Sequence, residues 1–240
     1  MKRRIFILFL STTTFFFITI AAFINFGRSI WVPIYTNVKG KETTKSIDEK
    51  IGNSALDRLQ PNLTAAGFED LPKEMALVAI KTDQILELWG KKESKWVLIK
   101  KYPFTAFSGK LGPKLKEGDN QIPEGIYKIE YLNPNSLFYL SMKVSYPNDF
   151  DKSMAAQEGR TDFGTDIFIH GKNKTVGCIP IGDEAIEEVF LLASKTLQHG
   201  IKLVISPVDF RENANFPEIP EVIWDQELYS SIKEAMQRDF

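Results

Sequence analysis

"DIFIHGKNKTVGCIPIGDEAIEEVF", residues 166–190, decides how the rest of the chain is read. It holds Cys178, the only cysteine, and His170, one of two histidines. The first residues, "DIFIH", read as a short strand that ends on His170. Gly171 and Gly177 bracket a polar loop, where glycine permits tight turns and close backbone approach. A helix follows. Asp183 suits its N-cap, and Glu184, Glu187 and Glu188 suit the positive end of its dipole. Ile186, Val189, Phe190, Ala193 and Leu197 repeat at helical spacing, and Gly200 is a natural stop.

A cysteine nucleophile needs a base within hydrogen-bond reach, a stabilised thiolate and donors for the oxyanion. An unperturbed thiol titrates near pH 8.5, so only about 3% is thiolate at pH 7. The loop from His170 to Cys178 is short enough to fold back and set imidazole beside sulfur. N–H groups of Gly177 and Cys178, just ahead of a helix N-terminus, are candidate oxyanion donors. Lys172 and Lys174 add positive potential. Spacing alone leaves a packed, inert cysteine as the competing reading.

The flanking texture is β. "EMALVAIKTDQILELWG" predicts two strands joined near Lys81–Asp83, and "KWVLIKKYPFTAFSG" predicts a third. "GPKLKEGDNQIPEG" has the turn chemistry of a long surface loop. "GIYKIEYL" and "SLFYLSMKV" alternate on either side of a turn expected at "NPNS", Asn133–Ser136. "IKLVIS" returns as a strand after the helix. A mainly β domain with one covering helix is the expected core. In front of it, Ile47, Ile51, Ala55, Leu56 and Leu59 mark a helix expected to end at Pro61. Behind it, Leu228, Ile232, Ala235 and Met236 mark a helix docked on the surface.

The chain has 240 residues with 30 Lys plus Arg against 31 Asp plus Glu. That is one sizeable domain with extensions, and the near-neutral balance argues against nucleic acid as a partner. One cysteine rules out an internal disulfide, and two histidines among scattered carboxylates suggest no metal site; no cofactor is expected. "MKRR" precedes a run without charge from Ile5 to Gly27. A secretory core is about 7–15 residues and a spanning helix needs about 20, so the length favours an anchor in the inner membrane. Thr19, Ala21 and Ala22 leave a cleaved signal peptide open. Either reading sends the remainder out of the cytoplasm, to the periplasm or cell envelope. The resulting division is 1–27 membrane anchor or signal, 28–73 linker and helical segment, 74–211 a β-rich domain and 212–240 a helical extension.

"IFIHGKNKTVGCIPIGD" resembles the His-Gly … Ser/Thr-x-Gly-Cys signature of the L,D-transpeptidase (YkuD-type) catalytic domain, and its short His-to-Cys loop is like that of the YafK-like branch. The similarity extends through "SGKLGPKLKEGDNQIPEGIYKI", "LNPNSLFYLSMKVSYPNDFD", "GRTDFG" and "VDFR". The resemblance implies an L,D-transpeptidase-like β-sandwich or barrel with a helix after the catalytic loop. It implies Cys178 as nucleophile, His170 as its base, Thr175 as a brace of the loop, and Gly171 and Gly177 as loop and oxyanion positions. The implied partner is a peptidoglycan stem peptide, through a thioester on Cys178. Members of the YafK-like branch are associated with hydrolysis that releases a peptidoglycan-linked lipoprotein, so hydrolase stands beside transpeptidase. Two departures affect substrate contacts: Val176 replaces the histidine of the better known branch, and "IPIGD" lacks its arginine after the cysteine.

Arg160 and Arg211 are candidates for a bidentate hold on a substrate carboxylate, with Tyr146 as a further substrate-binding candidate. Asp162 and Asp166 are candidates for orienting His170, and His199 reads as structural. Two rivals remain: a non-catalytic peptidoglycan-binding module, and a papain-like protease, which would need Cys before His in the chain.

Overall fold

In a computed structural model, residues 40–213 and 215–240, with Ile30, are described. The expected anchor or signal at 1–27 lies outside them; no helix among the described residues is long and apolar enough to cross a membrane. Residues 43–240 form one unit.

The chain enters on α1 (Thr44–Ala65), whose N-cap Thr43 and Ser46 exchange a capping box. The expected stop at Pro61 is wrong: α1 runs through it to Ala65. Proline removes one donor, but Leu59 and Leu63, one turn apart on either side of it, are both buried, and that packing carries the helix on. β1 (Met75–Ile80), β2 (Ile85–Lys92) and β3 (Lys95–Pro103) form an antiparallel meander. β4 (Gly125–Ser136) and β5 (Tyr139–Val144) form a hairpin. Its turn is at Leu137–Phe138, not at Asn133–Ser136. Asn133 and Ser136 stay paired, to Ser141 and Tyr139, and irregular register absorbs the proline between them.

Next come α2 (Asp149–Gln157), which the sequence reading did not assign, then β6 (Phe168–His170) and β7 (Ile179–Pro180). α3 (Asp183–Thr196), a 3-10 turn at Leu197–His199, β8 (Lys202–Ser206) and α4 (Asp225–Asp239) complete the chain.

All eight strands belong to one curled sheet, in the order β3-β2-β1-β8-β4-β5-β6-β7. β8 inserts at the centre, parallel to β1 and antiparallel to β4. β4 makes the bend: Gly125–Lys128 pair with β8, and the later residues pair with β5 across a register shift between Ile129 and Leu132. The expectation of a mainly β body with a helix behind the loop is met.

β1 is buried at every position, which is the pattern of a strand covered on both faces. On one face Leu77, Leu203 and Ile205 join Val189, Phe190 and Ala193 of α3 and Leu59 of α1. On the other, Val78 and Val204 join Leu228, Tyr229 and Ile232 of α4. The flanking helices expected at the surface are therefore part of the same packed unit.

One buried ion pair positions the loop between β3 and β4. Lys81 Nζ donates to Gly112 O and Ile122 O, each at 2.9 Å, and meets Glu124 Oε1 at 2.8 Å. Glu124 also accepts from Gly112 N and Tyr229 OH, both at 2.8 Å. Every polar atom of the pair is thereby engaged across β1, β4, α4 and the loop, which offsets the cost of burying two charges.

Candidate active site

Strand alternation assembles the site. Along β5, Leu140, Met142 and Val144 face the core, so Ser141 and Lys143 lie on the opposite face. Ile169 of β6 is a core residue paired with Met142 on one side and Ile179 on the other. The residues flanking it, Phe168 and His170, therefore share the face of Ser141 and Lys143. His170 pairs in register with Ser141 and Pro180, and Lys143 with Phe168. One residue back along the parallel register, Cys178 stands beside Phe168. Two rows thus cross the sheet edge: Ser141, His170, Pro180 and Lys143, Phe168, Cys178. Neighbouring strands lie about 4.8 Å apart, so thiol and imidazole are diagonal neighbours on one face.

Both groups open into two cavities. One, of about 310 Å³, is lined by His170 and Cys178 with Phe138, Ser141, Asp166 and Phe168. The other, of about 540 Å³, is lined by the same pair with Ala106, Phe107, Lys174 and Thr175. Phe138 and Val176 border both. Val176 is 75% exposed, so it presents an apolar wall to both cavities.

His170 is buried, and its ring stacks on Phe138 with centroids 4.6 Å apart. Nδ1 lies 2.5 Å from Gly171 O. A carbonyl only accepts, so Nδ1 carries the proton and Nε2 keeps its lone pair. Burial pushes the imidazole below its ordinary range, partly offset by the Gly171 bond. Neither Asp162 nor Asp166 orients the ring: Asp166 pairs with Lys143 at 2.9 Å, and the bond at Nδ1 goes to Gly171.

The Cys178 thiol donates to Asp166 O at 3.7 Å. Burial pushes its pKa up, a backbone bond from Phe168 and the charge of Lys143 pull it down, and the Asp166 carboxylate works against them. Resting thiol and imidazole are therefore both neutral near pH 7, and general-base transfer to Nε2 is the step this pair can perform.

The loop between them is tied at each end. Thr175 Oγ1 donates to Cys178 O at 2.7 Å and accepts from Gly177 N at 3.1 Å, so one hydroxyl bridges both backbone groups. That second bond engages the Gly177 N–H inside the loop, so this expected oxyanion donor is occupied. Gly177 has φ +126°, and a Cβ there would stand 2.9 Å from Gln121 O. At Gly171 a Cβ would stand 2.7 Å from Asp183 Oδ1 and 2.9 Å from Phe138 O. Asp183 is not the N-cap of α3; Gly182 is. Instead Asp183 accepts from Lys172 N at 2.9 Å and pairs with Lys172 Nζ, fastening loop to helix. The start of α3 lines another cavity, with Lys100, Tyr102 and Thr105, and not those of Cys178.

Three expected substrate contacts lie elsewhere. Arg211 is held by Asp209 at 2.8 Å and Glu87 at 2.9 Å and sits over Trp89. Arg160 bonds Glu158 and Leu115 O and lines a groove with Leu111, Gln121 and Ile219. Tyr146 is buried, with its hydroxyl 2.7 Å from Phe163 O. Both arginines face carboxylates of their own chain, and the tyrosine supports a loop. His199 is exposed beyond α3 and lines neither cavity of the Cys178/His170 pair. Lys143 was missed, although alternation in "YLSMKV" puts it on the face opposite Leu140, Met142 and Val144. Among the described residues no group of carboxylates, histidine and cysteine could hold a metal ion.

The family model of the L,D-transpeptidase catalytic domain (YkuD) matches residues 74–205, so the chain belongs to that family. It is 30% identical over 122 residues to the Escherichia coli (strain K12) protein named "Putative L,D-transpeptidase YafK", covering 50% of this chain and 47% of that one. The chain thus spans about half the length of the curated relatives it matches. Among solved structures, the helical cell shape determining protein Pgp2 from Campylobacter jejuni is 17% identical, with TM-score 0.48 and coverage of 75% of this chain and 77% of that one. L,D-transpeptidase 1 of Mycobacterium tuberculosis is 13% identical, with TM-score 0.32 and coverage of 55% and 62%.

Proposed function

We propose that this protein is a cysteine-dependent acyl-transfer enzyme acting on peptidoglycan stem peptides in the cell envelope. The observation that carries the reading is the placement of Cys178 and His170 on one sheet face, opening into shared cavities, with Nδ1 of His170 bonded to Gly171 O. Nε2 takes the thiol proton as sulfur attacks the carbonyl of an L-centred residue that precedes a D-residue. The tetrahedral adduct collapses, the C–N bond breaks, and the leaving amine takes its proton back from Nε2. A thioester on Cys178 remains. A second amine then attacks it and releases a crosslinked peptide and the thiol.

Water in place of that amine gives a free carboxylate, which is the hydrolase reading. Family membership favours the amine. Two cavities meet at the pair, which gives room for a donor and an acceptor to approach from different sides. Incubation with tetrapeptide-bearing muropeptides tests the reading. Crosslinked products with wild type, and none with Cys178→Ala, are expected. Free tripeptide product, or release of a peptidoglycan-linked lipoprotein, would assign hydrolysis; identical products from wild type and Cys178→Ala would remove the cysteine from the mechanism.

The uncharged run at 5–27 fits an enzyme delivered across, or tethered to, the inner membrane. A binding module without catalysis would not need a buried histidine held with its free nitrogen beside the thiol's cavity, and that favours an enzyme.

A further inference from the structure

We propose that Lys143, held by Asp166 and lying over Phe168, is the cation that stabilises the Cys178 thiolate, and that Asp166 restrains it. The geometry begins with the register. Lys143, Phe168 and Cys178 form a row across three neighbouring strand positions on the site face. The lysine extends over the residue that separates it from Cys178 in that row: Nζ lies 4.9 Å from the Phe168 ring centroid and 2.9 Å from Asp166 Oδ1. Phe168 and Asp166 both line the cavity that contains Cys178, and the thiol hydrogen bond ends on Asp166 O.

Other charged groups near the site are differently placed. Lys172 pairs with Asp183, and Lys114 is held at 2.6 Å by Asp119. Lys174 lines the wider cavity from the loop itself. His170, on the neighbouring row, is neutral at rest and becomes an imidazolium only after accepting the thiol proton, so it is no standing cation beside the resting thiol. Lys143 therefore fills a need that the Cys/His pair leaves open.

A paired lysine would ordinarily contribute little, because its partner cancels its field. Here the two charges are screened unequally. The Lys143 side chain is 10% exposed and that of Asp166 is 79% exposed. Water solvates the carboxylate and weakens its reach, while the lysine acts through protein, where screening is smaller. The ordering of influences on the thiol agrees, with Lys143 pulling down more than Asp166 pushes up.

This inference rests on Cys178 being the nucleophile for its bearing on turnover, but its test reads the thiol alone. The rate of iodoacetamide alkylation of Cys178 in the full chain, followed against pH, reports the thiol pKa. Lys143→Met is expected to raise it by about half to one unit, and to slow alkylation at pH 7 roughly three- to ten-fold. Lys143→Arg should restore the wild-type profile. Asp166→Asn should shift the pKa downward; asparagine tolerates the positive φ of 58° found there, so the backbone is kept. A purely structural lysine would alter the melting temperature without moving the alkylation pKa. A folded Lys143→Met protein with the wild-type profile overturns the proposal. If that variant does not fold, an unshifted Asp166→Asn profile overturns it. A muropeptide assay that fails in wild type would count against the proposed function and leave this result standing.

Discussion

Nδ1 of His170 is 2.5 Å from the carbonyl oxygen of the next residue, Gly171, so the base is oriented by its own backbone and not by a carboxylate. A carbonyl fixes the tautomer without adding charge. The imidazole then stays below its ordinary pKa of 6.5, because burial is the larger influence.

The pH dependence follows from the two directions of shift. The base works only when neutral, so kcat/KM should fall as pH drops through the lowered His170 pKa, beneath 6.5. Burial pushes the thiol above its ordinary range, so no thiolate-driven change is expected between about pH 7 and 8.5. A flat plateau over that interval with an acid limb below 6.5 is predicted. His170→Gln should remove the acid limb and cost on the order of 10²–10⁴ in rate. A wild-type rate that climbs steadily across the plateau would show that the thiolate fraction, and not His170, controls the step.

Gly177 combines φ +126° with a backbone oxygen where a Cβ would go. Gly177→Ala should therefore displace the loop from Gln121 and cost about 1–3 kcal/mol of stability. Activity should fall further than the melting temperature implies, since Cys178 is the adjoining residue. A crystal structure of the variant with an unmoved loop would contradict this.

Thr175 joins Gly177 N to Cys178 O through one hydroxyl. Thr175→Ser keeps the hydroxyl and should retain most activity. Thr175→Val keeps the shape but leaves two backbone groups without that partner, at a cost of about 1–3 kcal/mol. Equal activities for the serine and valine variants would show that the bridge does not hold the loop in its working form.

Lys81 and Glu124 are buried together beneath the loop that carries Gln121. Lys81→Met strands a buried carboxylate and should destabilise the fold by roughly 3–5 kcal/mol. The double variant Lys81→Met/Glu124→Gln should recover much of that loss in chemical denaturation. Additive losses would mean the two charges do not act as a pair.

Much of this arrangement was legible in the sequence, and the limits are physical. The strands, the helix behind the loop and the Cys178/His170 pairing follow from apolar alternation and from the motif. "EMALVAIKTDQILELWG" announced two strands, yet nothing local shows that "IKLVIS" slips between the first of them and β4, because parallel pairing is a long-range choice. Pro61 misled because a proline costs one donor, while Leu59 and Leu63 repay it through packing that only the tertiary fold supplies. The arginines misled for a related reason. Arg211 and Arg160 look available in one dimension, but Glu87, Asp209 and Glu158 meet them in three. Lys143 could have been found, since a lysine in an alternating strand marks the face opposite the core.

The most direct test of the central claim is the intact mass of the protein after brief exposure to a tetrapeptide-bearing muropeptide. The account predicts an increment equal to the substrate less its departing D-residue, mapped to Cys178, absent from Cys178→Ala and discharged by added amine. Full product formation by Cys178→Ala would contradict it.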